Sequence, residues 1–249
     1  MNTLGLETTA LGFVAGFTGK AIEDGLAAQG IHTDFIHLPE GNSRINVKVK
    51  HGDETEINGQ GPVITEEAIN ELFAKLATLT KEDILVLAGS IPNTLPEDIY
   101  EKILARLESK GIRVVVDATK DLLLNVLKYH PFLIKPNNHE LGEMFGTVCK
   151  TDEDIVHYAK KLQEKGAVNV LISMAGDGAI LITEDGQNIK MGTPKGKVVN
   201  SVGAGDSMVA GFITGYIRGG NYEEALKSGT AAGSATAFSE GLASLEMYE

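Results

Sequence analysis

Asp206 stands directly behind Gly203-Ala204-Gly205, between the β-branched pair Val198-Val199 and a run of small and apolar residues from Ser207 to Phe212. Glycine lets a backbone turn sharply and come close to a ligand. A helix that starts at such a turn presents unpaired N–H groups and the positive end of its dipole. Together these make a seat for an anion such as a transferring phosphoryl group. On the rim of that seat Asp206 is placed to take a proton from an attacking hydroxyl. The same residues also describe a plain turn in which Asp206 caps a helix.

Four further stretches carry polar groups of interest. Leu87-Ala88-Gly89-Ser90-Ile91-Pro92 ends an apolar run, where Gly and Ser allow a substrate near the backbone or simply make a turn. Asp117 ends the next apolar run and is either a cap for the helix expected at 120 or a site carboxylate. In Lys135-Pro136-Asn137-Asn138-His139-Glu140, Pro136 blocks a helix and Glu140 falls in the first turn of the next one, where a carboxylate suits the dipole. Ser173-Met174-Ala175-Gly176-Asp177-Gly178 joins a strand to a hairpin, and Arg44 follows Gly41-Asn42-Ser43 at the start of an alternating segment. His139 reads as a bystander, and histidines 32, 37, 51, 130 and 157 have no metal-ligand spacing with acids or with Cys149.

The elements that hold these residues follow from periodicity. Strands are expected at 9–14, 84–88, 112–117, 132–134 and 168–173, with a hairpin of 179–183 and 188–191 around Asp185-Gly186. Helices are expected at 20–29, 65–79, 96–110, 120–128, 138–145, 152–165, 204–218 and 222–239. From 31 to 58 the pattern changes: Ile45, Val47 and Val49 alternate with Asn46, Lys48 and Lys50, as in an antiparallel ribbon with one exposed face. Strands alternating with helices predict a parallel sheet covered on both faces, with ligands beyond the carboxyl ends of the strands. The polar motifs fall at such ends. The expected organisation is one domain, 1–249, with a β lid at 31–61 inserted in it.

Composition narrows the function classes. The 249 residues carry 22 Lys+Arg against 34 Asp+Glu, a net charge of −12, which argues against a general nucleic-acid binder. No apolar run is long enough to cross a membrane. With Cys149 as the one cysteine, no intramolecular disulfide is possible, so a cytoplasmic protein is expected. Val14 stands where a Walker A loop would need its first Gly, and no Gly-x-Gly-x-x-Gly occurs around it or at Gly203.

Asn200-x-x-Gly203-Ala204-Gly205-Asp206-Ser207 with its small-residue helix resembles the C-terminal signature of the PfkB-type carbohydrate kinases, of the ribokinase-like superfamily. The resemblance implies a three-layer α/β/α sandwich with a small β-ribbon lid. It implies that Gly203, Ala204 and Gly205 are the anion hole and Asp206 the catalytic base. Asn137-x-x-Glu140 resembles the family's magnesium motif, acting mostly through water and phosphate, and Asp117 matches a position near the nucleotide phosphates and metal. Ser173, Met174, Ala175, Gly176, Asp177 and Gly178 resemble the ATP loop, with Ala175 replacing the usual first Gly and Gly176 expected to restore flexibility. Ser90 resembles a substrate-binding serine of the family's phosphosugar kinases, and Arg44 the arginine that meets the substrate phosphate. The expected reaction is ATP-dependent phosphorylation of fructose 1-phosphate at its 6-hydroxyl, with tagatose 6-phosphate or another sugar as the alternative. A homodimer through the lid is implied. Family members also carry an N-terminal strand, further lid and a Gly-Gly-Lys-Gly segment that occurs nowhere here, so the fold is expected to be N-terminally incomplete. The chain also ends shortly after the last expected helix. An inactive remnant that at most binds nucleotide is the second expectation.

Overall fold

The structure is a computed structural model describing residues 1–51, 53–89, 91–118 and 120–248. Its early strands are β1 (Thr9–Ala10), β2 (Phe13–Ala15), β3 (His32–Thr33), β4 (Ile36–Leu38), β5 (Asn46–His51) and β6 (Asp53–Asn58). The later ones are β7 (Ile84–Ala88), β8 (Arg113–Asp117), β9 (Leu133–Ile134), β10 (Asn169–Ser173), β11 (Ala179–Ile182) and β12 (Asn188–Met191). The helices are α1 (Gly16–Ala28), α2 (Glu66–Ala77), α3 (Ile99–Leu107), α4 (Lys120–Val126), α5 (Asn138–Met144) and α6 (Asp152–Glu164), then α7 (Ala204–Gly219), α8 (Tyr222–Ala237) and α9 (Leu245–Tyr248).

β7, β8, β9 and β10 lie side by side in parallel, and the β11–β12 hairpin extends them antiparallel. Because each strand adds on the same side of the last, right-handed crossovers place the connecting helices on one face. That face is packed by Val114, Val116, Ile134, Val170 and Ile172 against Leu104, Leu123, Leu141 and Leu162 of the crossover helices. The alternate residues Val115, Leu133, Leu171 and Leu181 face the other way, onto Phe212 and Ile213 of α7 and Leu226 of α8. Two buried faces explain the continuous apolar runs in these strands. α7 and α8 run backbone to backbone: a Cβ on Gly211 would lie 2.4 Å from the Ser228 carbonyl oxygen. The expected three layers are therefore present, with a mixed rather than wholly parallel sheet.

The remaining departures cluster in the first half. The strand expected at 9–14 is split at Leu11-Gly12, and its halves pair in parallel with β3 and β4. Residues 31–38 thus leave the antiparallel ribbon, which narrows to β5 and β6 with Val47 opposite Ile57. α1 starts four residues earlier than expected because Gly19 is a packing residue, buried where a Cβ would lie 3.0 Å from Ser43 Oγ. Pro96 lies outside α3, its carbonyl accepting from Ile99 N–H at 3.0 Å, and the expected helix tail becomes a 3₁₀ turn, Glu108–Lys110. α9 was outside the expected set; Tyr248 Oη shares a hydrogen bond with Ser228 Oγ at 2.6 Å, tying it to α8.

Candidate active site

The motifs converge at the carboxyl ends of β7 to β10. α7 opens at Gly203, whose φ of 79° is the left-handed turn that glycine adopts without a Cβ clash. The helical ladder starts with Ser207 N–H donating to the Gly203 carbonyl at 2.9 Å. The amides of Gly205 and Asp206 precede that first bond, so they are free to meet an anion. Around them the turn is fixed: Val202 N–H donates to Asn200 Oδ1 at 3.2 Å, Asn200 Nδ2 to the Glu240 carbonyl at 2.9 Å, and Ser207 Oγ shares a hydrogen bond with Thr236 Oγ1 at 2.8 Å. Asp206 opens onto a cavity of about 200 Å³ bounded by Ser207, Ala210, Thr236, Leu4 and Tyr248.

Across from this turn is a cluster of charges. Asp117, at the end of β8, meets Lys135 Nζ at 3.3 Å, with both side chains largely buried. Burial pushes the Asp117 carboxyl above the ordinary carboxylate range; the Lys135 ammonium pulls it back, and the Asp206 and Glu140 carboxylates push it up further. Asp117, Glu140 and Asp206 therefore share one electrostatic neighbourhood. Lys135 Nζ also lies 3.2 Å from where a Cβ on Gly205 would be, so the ammonium sits against the first turn of α7. Tyr100, whose hydroxyl donates to the Ala88 carbonyl at 3.0 Å, closes the β7 side, and burial and Asp117 both raise its hydroxyl.

Asn137 and Glu140 form a reciprocal cap on α5: Glu140 N–H donates to Asn137 Oδ1 and Asn137 N–H to Glu140 Oε2, both at 2.8 Å. The helix-cap reading of this motif is thus present in full, and it holds the Glu140 carboxylate at the strand end. Asn137 bridges to Ser173 beside it, bringing β9 and β10 ends together. In the loop after β10, Met174 N–H donates to the Gly178 carbonyl at 2.8 Å and Thr193 Oγ1 to the Gly176 carbonyl at 2.8 Å. Here the expectation about flexibility is corrected. Ala175 itself takes the left-handed conformation, φ 47°, and Gly176 does not.

Arg44 does not lie on a ribbon strand; it is in the loop two residues before β5. Its neighbour Ser43 is buried and anchored, accepting from Ala15 N–H at 3.0 Å while its carbonyl accepts from Thr18 Oγ1 at 2.8 Å. Arg44 thus projects from a fixed point at the ribbon's base. Ser90 lies outside the described residues. Among the described residues, no group of three His, Cys, Asp or Glu side chains is close enough to hold a metal ion directly. A hard cation that keeps its water shell, as magnesium does, fits an acidic cluster of this looser kind. Lys135 and Tyr100 were not among the expected site residues. The signal for Lys135 was present: a lysine directly after the apolar Phe132-Leu133-Ile134 run, ahead of a proline. A larger cavity, about 420 Å³, opens at the other end of the sheet among His130, Gln163, Gly166 and Glu184, far along the strands from these groups.

A sequence profile of the pfkB family carbohydrate kinases matches residues 1–247. The chain belongs to this family. A 1-phosphofructokinase of Bacillus subtilis (strain 168) is 51% identical over 240 residues, 96% of this chain and 78% of that protein. A D-tagatose-1-phosphate kinase of Bacillus licheniformis is 40% identical, over 97% of this chain and 79% of its own. The crystal structure of a candidate phosphofructokinase from Staphylococcus aureus superposes with a TM-score of 0.91 at 46% identity, covering 99% of this chain and 80% of that one. The family fold is a ribokinase-like α/β architecture. Among the described residues, no helix is long and apolar enough to cross a membrane.

Proposed function

We propose that this pfkB-family chain transfers the γ-phosphoryl group of ATP to the 6-hydroxyl of fructose 1-phosphate, giving fructose 1,6-bisphosphate, in the cytoplasm. The observation that carries the reading is the first turn of α7: a left-handed Gly203, two amides ahead of the helical ladder, and Asp206 among them. In this reading Asp206 takes the proton of the sugar hydroxyl as its oxygen attacks phosphorus. The turn of Gly203, Ala204 and Gly205 holds the oxygens of the transferring group, with the Gly205 and Asp206 N–H groups as donors, since Ala204 N–H already donates to the Ser201 carbonyl at 3.2 Å. Such preorganised donors supply the larger part of the rate, because little covalent chemistry falls to the protein.

Asn137 and the loop of Ser173, Met174, Ala175, Gly176, Asp177 and Gly178 bind the nucleotide. Glu140 and Asp117 would hold magnesium mostly through water and phosphate, and the ion would supply neutralisation of phosphate charge. Arg44 grips the phosphate already on the sugar, for which a planar guanidinium suits better than an ammonium; Ser90 assists at the same substrate. The ribbon leaves Ile45, Val47, Val49 and Ile57 exposed, a face apolar enough to pair with a second copy as a homodimer.

The test is a coupled assay with Mg-ATP and a panel of phosphosugars. Fructose 1-phosphate is expected to give the highest kcat/KM. A higher value with a tagatose phosphate would move the substrate to the second reading, which the Bacillus licheniformis relative favours. Nucleotide binding without turnover of any sugar would leave an inactive remnant. Sedimentation of wild type against Val47→Asp tests the homodimer, with dissociation expected in the variant.

A further inference from the structure

Tyr100 carries a hydrogen bond that crosses from one element to another. It lies in the first turn of α3, its ring partly buried against the main core. Its hydroxyl reaches back to the carboxyl end of β7, donating to the Ala88 carbonyl at 3.0 Å with the Gly89 carbonyl at 3.3 Å. A phenol has one proton, so two consecutive carbonyls share it. In an extended strand successive carbonyls point to opposite sides. They converge on one hydroxyl here because the chain turns at Gly89, whose φ of 86° is left-handed. Pairing with β8 ends at the same place, where Gly89 N–H donates to the Asp117 carbonyl at 3.2 Å. Ahead of α3 the backbone bonds are local, from Leu95 N–H to the Pro92 carbonyl at 2.9 Å and from Ile99 N–H to the Pro96 carbonyl at 3.0 Å. Thr94 Oγ1, in the same loop, is buried without a hydrogen-bond partner among the described residues. The Tyr100 hydroxyl therefore ties a lightly held connection to the strand end.

We infer that Tyr100 is a positioning residue for the phosphosugar, its hydroxyl fixing the Gly89 turn on the β7 side of the site. The inference rests on the kinase reading above, in which Ser90, next along the chain, meets the sugar. Ala88 and Gly89 are exposed at the sheet end, so a ligand can reach the backbone of the turn. The hydroxyl acts there in two ways. It selects one backbone orientation from the many that a glycine permits. It also engages two carbonyl oxygens whose partial negative charge would otherwise oppose a substrate that carries a phosphate. The nucleotide groups proposed above follow β9 and β10, with β8 between them and this turn. The effect of the hydroxyl therefore falls on the phosphosugar and not on ATP.

The experiment measures kcat and the KM values for fructose 1-phosphate and ATP in wild type, Tyr100→Phe, Gly89→Ala and the double variant. Phe keeps the ring in its packing and removes only the hydroxyl. A Cβ at 89 meets no atom within 4 Å, so Gly89→Ala strains the left-handed backbone without a collision and disturbs the same turn by another route. Tyr100→Phe is expected to raise KM for the phosphosugar about 5–10-fold, the size of one lost hydrogen bond, with kcat and KM for ATP within about twofold. Gly89→Ala is expected to give the same split. The double variant is expected to fall short of the product of the two single effects, because both act through one turn. Equal rises in both KM values, or an unchanged phosphosugar KM in Tyr100→Phe, would make Tyr100 a packing residue of α3 and overturn the inference. Fully multiplicative effects in the double variant would overturn it too, since hydroxyl and turn would then act separately. Wild type that phosphorylates no sugar would instead bring down the kinase reading, and this inference with it.

Discussion

The end of the sheet and the ribbon are built in opposite ways. At the sheet end the polar groups are held by partners from other elements or from their own cap: Asn137 by Glu140 and by the bridge to Ser173, Ser207 by Thr236, Lys135 by Asp117. The strands beneath are among the most deeply buried residues of the chain. β5 and β6 hold chiefly each other, and their apolar residues Val47, Val49 and Ile57 remain exposed. The ribbon's base is anchored at Ser43 and where Gly59 N–H donates to the Ile45 carbonyl at 3.1 Å. Chemistry that needs fixed geometry is placed on the rigid end, where a misplacement of an ångström is expensive. The proposed grip of Arg44 on the substrate phosphate lies at the anchored foot of the exposed ribbon, a kind of element suited to closing over a ligand.

The comparison predicts a clean split in kinetics. Asp206→Asn keeps shape but cannot accept a proton, and turnover is expected to fall about 10²–10⁴-fold with little change in ATP affinity. Single-turnover rates and nucleotide titration check both halves; retention of most of the turnover would remove Asp206 as base. Arg44→Ala is expected to raise KM for the phosphosugar about 10–100-fold, the loss of a charge-assisted phosphate contact, while KM for ATP moves little. Equal effects on both substrates would show that Arg44 supports the ribbon rather than the sugar.

The two regions also differed in how legible they were. The strand at 84–88 is where its apolar run places it, and the helix expected at 152–165 is α6, with Thr151 and Asp154 forming a reciprocal cap at its start. Those are local signals of buried periodicity and cap chemistry. The first forty residues were harder, because β1 to β4 are two or three residues long and take their identity from partners distant in sequence. Arg44 was read onto the ribbon because the alternation Ile45, Val47, Val49 extends backwards through it, whereas the buried Ser43 that fixes it pairs with α1. Lys135 escaped because its buried place depends on Asp117 and Gly205, separated from it along the chain and brought together by the fold.

If the sheet end is over-determined, removing one cap should loosen it without dismantling it. Asn137→Ala deletes the side chain that satisfies Glu140 N–H and frees the Glu140 carboxylate from its reciprocal bond. Loss of such a cap costs about 1 kcal/mol, or about 2–4 °C in Tm for a chain of this size. Thermal melts with and without Mg-ATP check this. On the proposed nucleotide-binding role of Asn137, the wild type should gain more from the ligand than the variant.

The smallest effect probes strain within the rigid end. Ala175 holds φ 47° in the loop after β10. An L-residue with a Cβ pays roughly 1–2 kcal/mol for that left-handed conformation, whereas glycine adopts it freely. Three residues later Gly178, at φ 92°, has no such latitude: a Cβ there would lie 1.9 Å from the Met191 carbonyl oxygen. Ala175→Gly should therefore relieve strain, less the roughly 0.4–1 kcal/mol that glycine adds to the entropy of the unfolded chain. The net expectation is a gain of about 0.5–1 kcal/mol, or about 1–3 °C in Tm. Gly178→Ala in the same assay should lose stability, since its backbone contact cannot yield. A lower Tm in Ala175→Gly would mean that the methyl group's packing outweighs the strain, and that this loop is held by its side chains rather than by the hydrogen bonds from Met174 and Thr193.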